Sequence, residues 1–186
     1  NQGDYLLAGH QFDMFRKNYQ RSVFTEEAEF MYAYCYYMSS PRPELDQSNT
    51  LAAIEAFTEF INRYPNTSHK AEVNKIMVEL RDKLVEKSYL SAMLYYKIGD
   101  YKAAIVAIRN SIRDYPESKH REELMFHLLK ASYLLADNSI ESKRRERFQN
   151  ALDEYYSFIS EYPSSKYSSE AKKMYDATMK VLQNLN

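Results

Sequence analysis

The chain has 186 residues, with 25 Lys and Arg against 26 Asp and Glu and a formal net charge of −1. That balance excludes a global electrostatic pull toward nucleic acid or anionic lipid. Three Gly and five Pro leave few breakers, so helix is expected throughout, and the single cysteine, Cys35, excludes an internal disulfide.

Residues 5–18 read as a first helix, with Leu7, Ala8, Phe12, Phe15 and Tyr19 at spacings of three and four. Residues 25–38 read as a second, striped by Ala28, Met31, Tyr32, Cys35 and Tyr36. Ser39-Ser40-Pro41-Arg42-Pro43 stops it, because proline blocks helix continuation, and 41–49 is the longest expected loop. A third helix over 50–63 turns Leu51, Ile54, Phe57 and Ile61 inward. Residues 69–98 hold no Gly or Pro and read as one helix near 30 residues or two in tandem. Gly99-Asp100 is a turn, followed by helices over 101–114, 119–136, 142–161 and 165–184. No run of 18 apolar residues is present, so no membrane-spanning helix is expected.

A pattern recurs four times across these elements. Tyr19, Tyr64, Tyr115 and Tyr162 each close a copy, and Pro65, Pro116 and Pro163 follow three of them. Ala8, Ala53, Ala104 and Ala151 stand eleven residues before, and Phe12, Phe57, Ile108 and Tyr155 seven before. Ser22, Thr67, Ser118 and Ser165 stand three after, as expected helix N-caps. Glu27, Glu72, Glu123 and Glu170 stand eight after, as early-turn acids favoured by the macrodipole or paired with a neighbouring hairpin. The small residue lets paired helices approach, and the bulky one fills the space beside it. This is the tetratricopeptide arrangement, with spacings of 45, 51 and 47 in place of a regular array. The fold class is all-α: a tetratricopeptide-like helical-hairpin solenoid with one long bridging helix.

Residues 79–116 carry the most specific signature. It runs Leu80-Arg81-Asp82-Lys83-Leu84, Tyr95-Tyr96, Tyr101-x-Ala103-Ala104 and Arg113-Asp114-Tyr115-Pro116. Phe60-Ile61-x-x-Tyr64-Pro65-Asn66-Thr67 and Ala28-Glu29-Phe30-Met31-Tyr32 belong with it. Over residues 25–180 the chain closely resembles the outer-membrane assembly lipoprotein family BamD. The resemblance implies a lipoprotein on the periplasmic face of the outer membrane, held by a lipid anchor. It implies a non-enzymatic scaffold of the β-barrel assembly machine, without cofactor. Such a scaffold binds the periplasmic domains of the BamA insertase and aids insertion of barrel proteins. Other assembly lipoproteins and unfolded barrel proteins are further implied partners, nucleic acid is not, and the membrane is met only through the anchor.

By register, the chain is expected to begin in the second helix of the second repeat, with the lipidated cysteine outside it. A single tetratricopeptide-like domain over 1–186 then divides into three parts. Residues 1–65 are a partial second repeat and the third, 66–116 the long helix and fourth repeat, and 117–186 the fifth repeat and C-terminal helix. Cys35 lies mid-helix with no small-residue lipobox before it, so it is not the lipidated cysteine. The family arginine that contacts the insertase falls at Ala107 here; Arg109 lies on another helix face, and Arg113 matches a family arginine. The repeats alone also fit another envelope tetratricopeptide adaptor that binds a peptide or protein in a concave groove. A helical domain attached to an enzyme is a third reading, for which this chain offers no nucleophile–base pairing.

Candidate partner-binding residues follow from register and charge. Arg109, Arg113, Lys119, Arg121, Lys166 and Tyr175 form the expected insertase-facing set. Tyr32, Tyr34, Tyr36 and Tyr37 cover most of one helix circumference, so some of them are expected to be exposed or to meet a partner. Tyr32 and Tyr36 are the candidates. The closing tyrosines and Tyr95 are expected to pack. His10, His69, His120 and His127 include no i, i+4 pair, so no metal site is expected. Lys143-Arg144-Arg145-Glu146-Arg147 reads as a solvated helix start, or as a patch drawn to acidic surfaces or lipid headgroups.

Overall fold

The computed structural model describes residues 2–184, which form eight α-helices and no strand. They are α1 (Gln2–Asn18), α2 (Thr25–Ser39), α3 (Ser48–Arg63), α4 (Lys70–Lys97), α5 (Tyr101–Asp114), α6 (Arg121–Asp137), α7 (Glu141–Glu161) and α8 (Ser168–Asn184). The stretch without breakers, Lys70–Lys97, is one helix of 28 residues. Gly99 ends it with φ +81°, a left-handed conformation that glycine adopts without a Cβ clash. Asp100 then caps α5, its carboxylate accepting from Ala103 N–H at 3.0 Å.

The chain forms two compact units, Asn1–Lys87 and Ser88–Asn186. In the first, Phe30 and Ala33 of α2, Ala53, Phe57 and Phe60 of α3, and Val73, Ile76 and Leu80 of α4 make the core. Phe57 and Leu80 are fully buried. Each is worth about 1.5–3 kcal/mol by transfer alone. Helix α1 packs on α2, where Gly9 is buried and a Cβ built on it would stand 3.2 Å from the Cβ of Cys35. In this copy a close approach falls at Gly9, one residue past the repeated slot of Ala8.

The second unit has two apolar clusters. Ala92 and Met93 of α4, Ala104 and Ile108 of α5, and Leu124, Leu128 and Ala131 of α6 make one. Phe126 and Leu129 of α6, Tyr155 and Phe158 of α7, and Ala171 and Met174 of α8 make the other. Helix α6 serves both, with opposite faces. The repeated small slots Ala53, Ala104 and Ala151 are sealed, and so are Phe57, Ile108 and Tyr155 beside them.

The four corners after the closing tyrosines share one backbone plan. The tyrosine carbonyl accepts from the N–H three residues on, at Ser22, Thr67, Ser118 and Ser165. Each of those carbonyls accepts in turn from the first residue of the next helix, Thr25, Lys70, Arg121 or Ser168. The hydroxyls were expected as N-caps. Instead each accepts from the N–H two residues on, at Phe24, His69, His120 and Tyr167, before the helix begins. They are turn formers of the hydroxyl type. Helices α6 and α8 therefore start at Arg121 and Ser168, later than the expected 119 and 165.

Inward expectations are corrected at several residues. Leu51 is 55 % exposed, because the buried stripe of α3 runs through Thr50, Ala53, Phe57 and Phe60. Thr50 is held there by hydrogen bonds with Gln47 and Ser40. Tyr95 is 41 % exposed, since Ala92, Met93 and Tyr96 take the packed face of α4. Tyr19 and Leu7 are exposed as well; Tyr19 meets only the ring of Phe15, at 5.1 Å among the ring contacts of the described residues.

Candidate partner-binding site

Tyr32 and Tyr36 lie one turn apart on α2 and meet edge to face at 5.2 Å. The Arg16 guanidinium sits over the Tyr32 ring at 4.2 Å. Burial, and then the hydrogen bond with Tyr36, push the Tyr32 phenol up to about 12. On the other side Tyr37 donates to Glu79 of α4 at 2.7 Å, which pushes its phenol to about 12 as well. All four tyrosines of this helix are half-buried. Helix α2 is packed by α1 as well as by α3 and α4.

The other six candidates lie in the second unit, and helix α7 engages three of them. Arg109 of α5 donates to Glu154 at 2.5 Å. Arg121, at the start of α6, holds Glu161 with two bonds of 2.5 and 3.0 Å. This pairing holds the Glu161 carboxyl below its ordinary range. Tyr175 of α8 stacks on Tyr155 at 4.6 Å, and the Lys172 ammonium lies 4.6 Å from the centre of the Tyr175 ring. Tyr156, 51 % exposed, completes an aromatic group with Tyr175.

Three candidates remain at the surface. Arg113 is 70 % exposed, its only ion pair among the described residues being Asp114 beside it at 2.8 Å. Lys119 and Lys166 are exposed and occupy the same slot of successive corners, four residues after Tyr115 and Tyr162. Lys166 lies over the Tyr167 ring at 4.9 Å. Ala107 is half-buried against the α4–α5–α6 cluster and lines an open depression of about 500 Å³ with Tyr95, Val106 and Asn110.

One repeated feature escaped the pattern reading. Five residues after each closing tyrosine stands Phe24, His69, His120 or Tyr167. His69 stacks on Phe30 at 3.9 Å, His120 on Tyr89 at 3.9 Å and Tyr167 on Phe126 at 4.3 Å. At these three corners the planar residue locks the turn onto the preceding helix pair, whereas Phe24 is 67 % exposed. The glutamates three residues on join the same joints. Glu27 meets His69 at 2.9 Å, Glu123 accepts from Tyr89 at 3.0 Å and Glu170 from Lys130 at 2.6 Å. His127 sits apart, its Nδ1 2.9 Å from the Glu123 carbonyl and its ring against Tyr96. Among the described residues no trio of His, Cys, Asp or Glu side chains gathers as a metal-holding group. No helix among them is long and apolar enough to cross a membrane.

Comparison with known proteins places this architecture. The model of the YfiO family, described as outer membrane lipoprotein, matches residues 1–123 and again 87–184. The chain belongs to this family. It is 28 % identical over 140 residues to the outer membrane protein assembly factor BamD of Caulobacter vibrioides, covering 75 % of this chain and 46 % of that one. To BamD of Rickettsia prowazekii it is 25 % identical over 163 residues, covering 87 % and 61 %. To BamD of Neisseria gonorrhoeae it is 28 % identical over 119 residues, covering 64 % and 41 %. The chain thus spans about half the length of these curated relatives. Membership in the family agrees with the signature read over residues 79–116.

Proposed function

We propose that this chain is part of a non-enzymatic scaffold for assembling proteins into the outer membrane, on its periplasmic face. In this reading the second unit binds the periplasmic domains of a BamA-type insertase and so aids insertion of barrel proteins. The observation that carries it is the family match over nearly the whole chain, joined to relatives named for outer membrane protein assembly. The exposed cations Arg113, Lys119 and Lys166 are the contact residues. Arg109, Arg121 and Tyr175 hold the surface in shape through α7. Interfaces of this kind depend on a few well-placed arginines and aromatics rather than on total area.

The test is capture of the insertase's purified periplasmic domains by the chain carrying Arg113→Glu and Lys166→Glu. Capture falls at least tenfold while the thermal midpoint stays in place. Unchanged capture overturns the assignment of this surface.

A further inference from the structure

The basic run that opens α7 has no place in the reading above. Cations in the first turns of a helix oppose its macrodipole, yet Lys143, Arg144, Arg145 and Arg147 all stand there against Glu141 and Glu146. Arg144 is held by Asp137 at 3.0 Å and by the Phe148 ring. Arg147 stands three residues further on. Together with Lys102 and Arg109 of α5 it lines an open cavity of about 230 Å³, where Ser132 and Asn150 add neutral hydrogen-bonding groups. Glu146 is the one acid in the lining.

The donors there are far from used up. Arg109 gives one bond to Glu154 and Arg147 one bond of 2.6 Å to the Ser139 hydroxyl. A guanidinium carries five N–H donors in a rigid fork. Three cations around one cavity match the charge and the several oxygens of a phosphate group better than those of a single carboxylate. The rim is apolar. Val106 in the lining is 57 % exposed, and Ile140, beside the Ser139 that Arg147 holds, is 68 % exposed. Basic groups beside exposed aliphatic side chains make a surface that seats on a membrane interface.

We propose that the α5–α6–α7 cavity holds the phosphate of an anionic lipid headgroup, with Val106 and Ile140 at the acyl boundary. This contact is separate from any covalent anchor; it shares Arg109 with the frame of the proposed insertase surface but uses Lys102 and Arg147 rather than the contact residues Arg113 and Lys166. The chain cosediments with vesicles of phosphatidylglycerol in phosphatidylcholine and not with phosphatidylcholine alone. Lys102→Gln with Arg147→Gln weakens that binding by about tenfold or more, at roughly a factor of five per cation. Val106→Ser with Ile140→Ser weakens it with all charges in place, which separates headgroup seating from loss of fold. No binding to anionic vesicles, or binding that both double variants leave intact, overturns the proposal. Full displacement by inorganic phosphate at matched ionic strength overturns the lipid as its source. Equal displacement by polyglutamate overturns phosphate in favour of an acidic protein segment.

Discussion

Glu29 is an acid inside the apolar stripe of α2, its side chain 5 % exposed. It persists because Arg63 and, at 3.4 Å, the Tyr64 hydroxyl donate to it from the end of α3. Removing Arg63 leaves a buried carboxylate short of its main donor. Arg63 is itself 58 % exposed, so water replaces part of what is lost. Arg63→Ala costs about 2 kcal/mol in urea unfolding, and Glu29→Gln, which needs no cation, costs less. His127 gives a pH signature. Burial holds its imidazole below the ordinary value, ahead of the opposing hydrogen bond to the Glu123 carbonyl. Below pH of about 6.5 the unfolded chain therefore takes up a proton that the folded chain refuses. Stability falls with pH from there until the folded-state imidazole also protonates. His127→Gln removes this part of the acid sensitivity, read as a smaller drop in urea midpoint between pH 7.5 and 5.5. The pairings at Arg109 and Arg121 were not legible in the sequence. Their acids lie 45 and 40 residues away, at distances set by how α7 packs. The corner slot of Phe24, His69, His120 and Tyr167 was legible, since it recurs at a fixed offset, but its members share only planarity and so read as unlike residues.

At the scale of elements, periodicity and breakers place the helices to within three residues at their ends, but leave 69–98 open between one helix and two. The shifts at α6 and α8 have one cause: the repeated hydroxyl closes a turn before the helix rather than capping it. The unequal repeat spacing also has a structural meaning. Phe30 and Phe126 stand eleven residues after their closing tyrosines, whereas Tyr89 stands fourteen residues later than that slot. Fourteen residues is close to four helical turns, so α4 is longer while Tyr89 keeps the same face. The short turn at 98–100 then replaces the loop at 40–47. Stacking at these corners is testable by substitution. His69→Ala loses the Phe30 stack and the Glu27 bond and costs about 1–2 kcal/mol, while His69→Phe retains most of it, by thermal or urea midpoints. The small slot is stricter. Ala104 is fully buried beside Ile108, and Ala104→Leu forces α5 away from its neighbours at about 1–3 kcal/mol.

At the scale of the molecule, the cores are local. Each apolar cluster draws on three consecutive helices, and the boundary between the compact units falls inside α4, between Lys87 and Ser88. A continuous helix transmits order across such a boundary only through its own i to i−4 hydrogen bonds, whose reach is a few turns. Side-chain packing supplies most of the stability, and the buried members of each cluster lie within one unit. The chain is therefore expected to open in parts rather than in one step. Phe57→Ala empties a fully buried site of the first unit and costs about 3–5 kcal/mol there. Under native conditions amide exchange accelerates in α2, α3 and the first half of α4, by a factor matching that loss. The amides of α6, α7 and α8 keep their protection. The mirror substitution, Phe158→Ala, leaves α2 and α3 slow and speeds α6–α8 instead. Acceleration spread evenly over both units by either variant would mean that α4 couples them into one cooperative fold. The surface proposed to meet the insertase, with Arg113, Lys119 and Lys166 in the second unit, would then be sensitive to damage in the first; independent opening instead lets that surface stay formed while the first unit loosens.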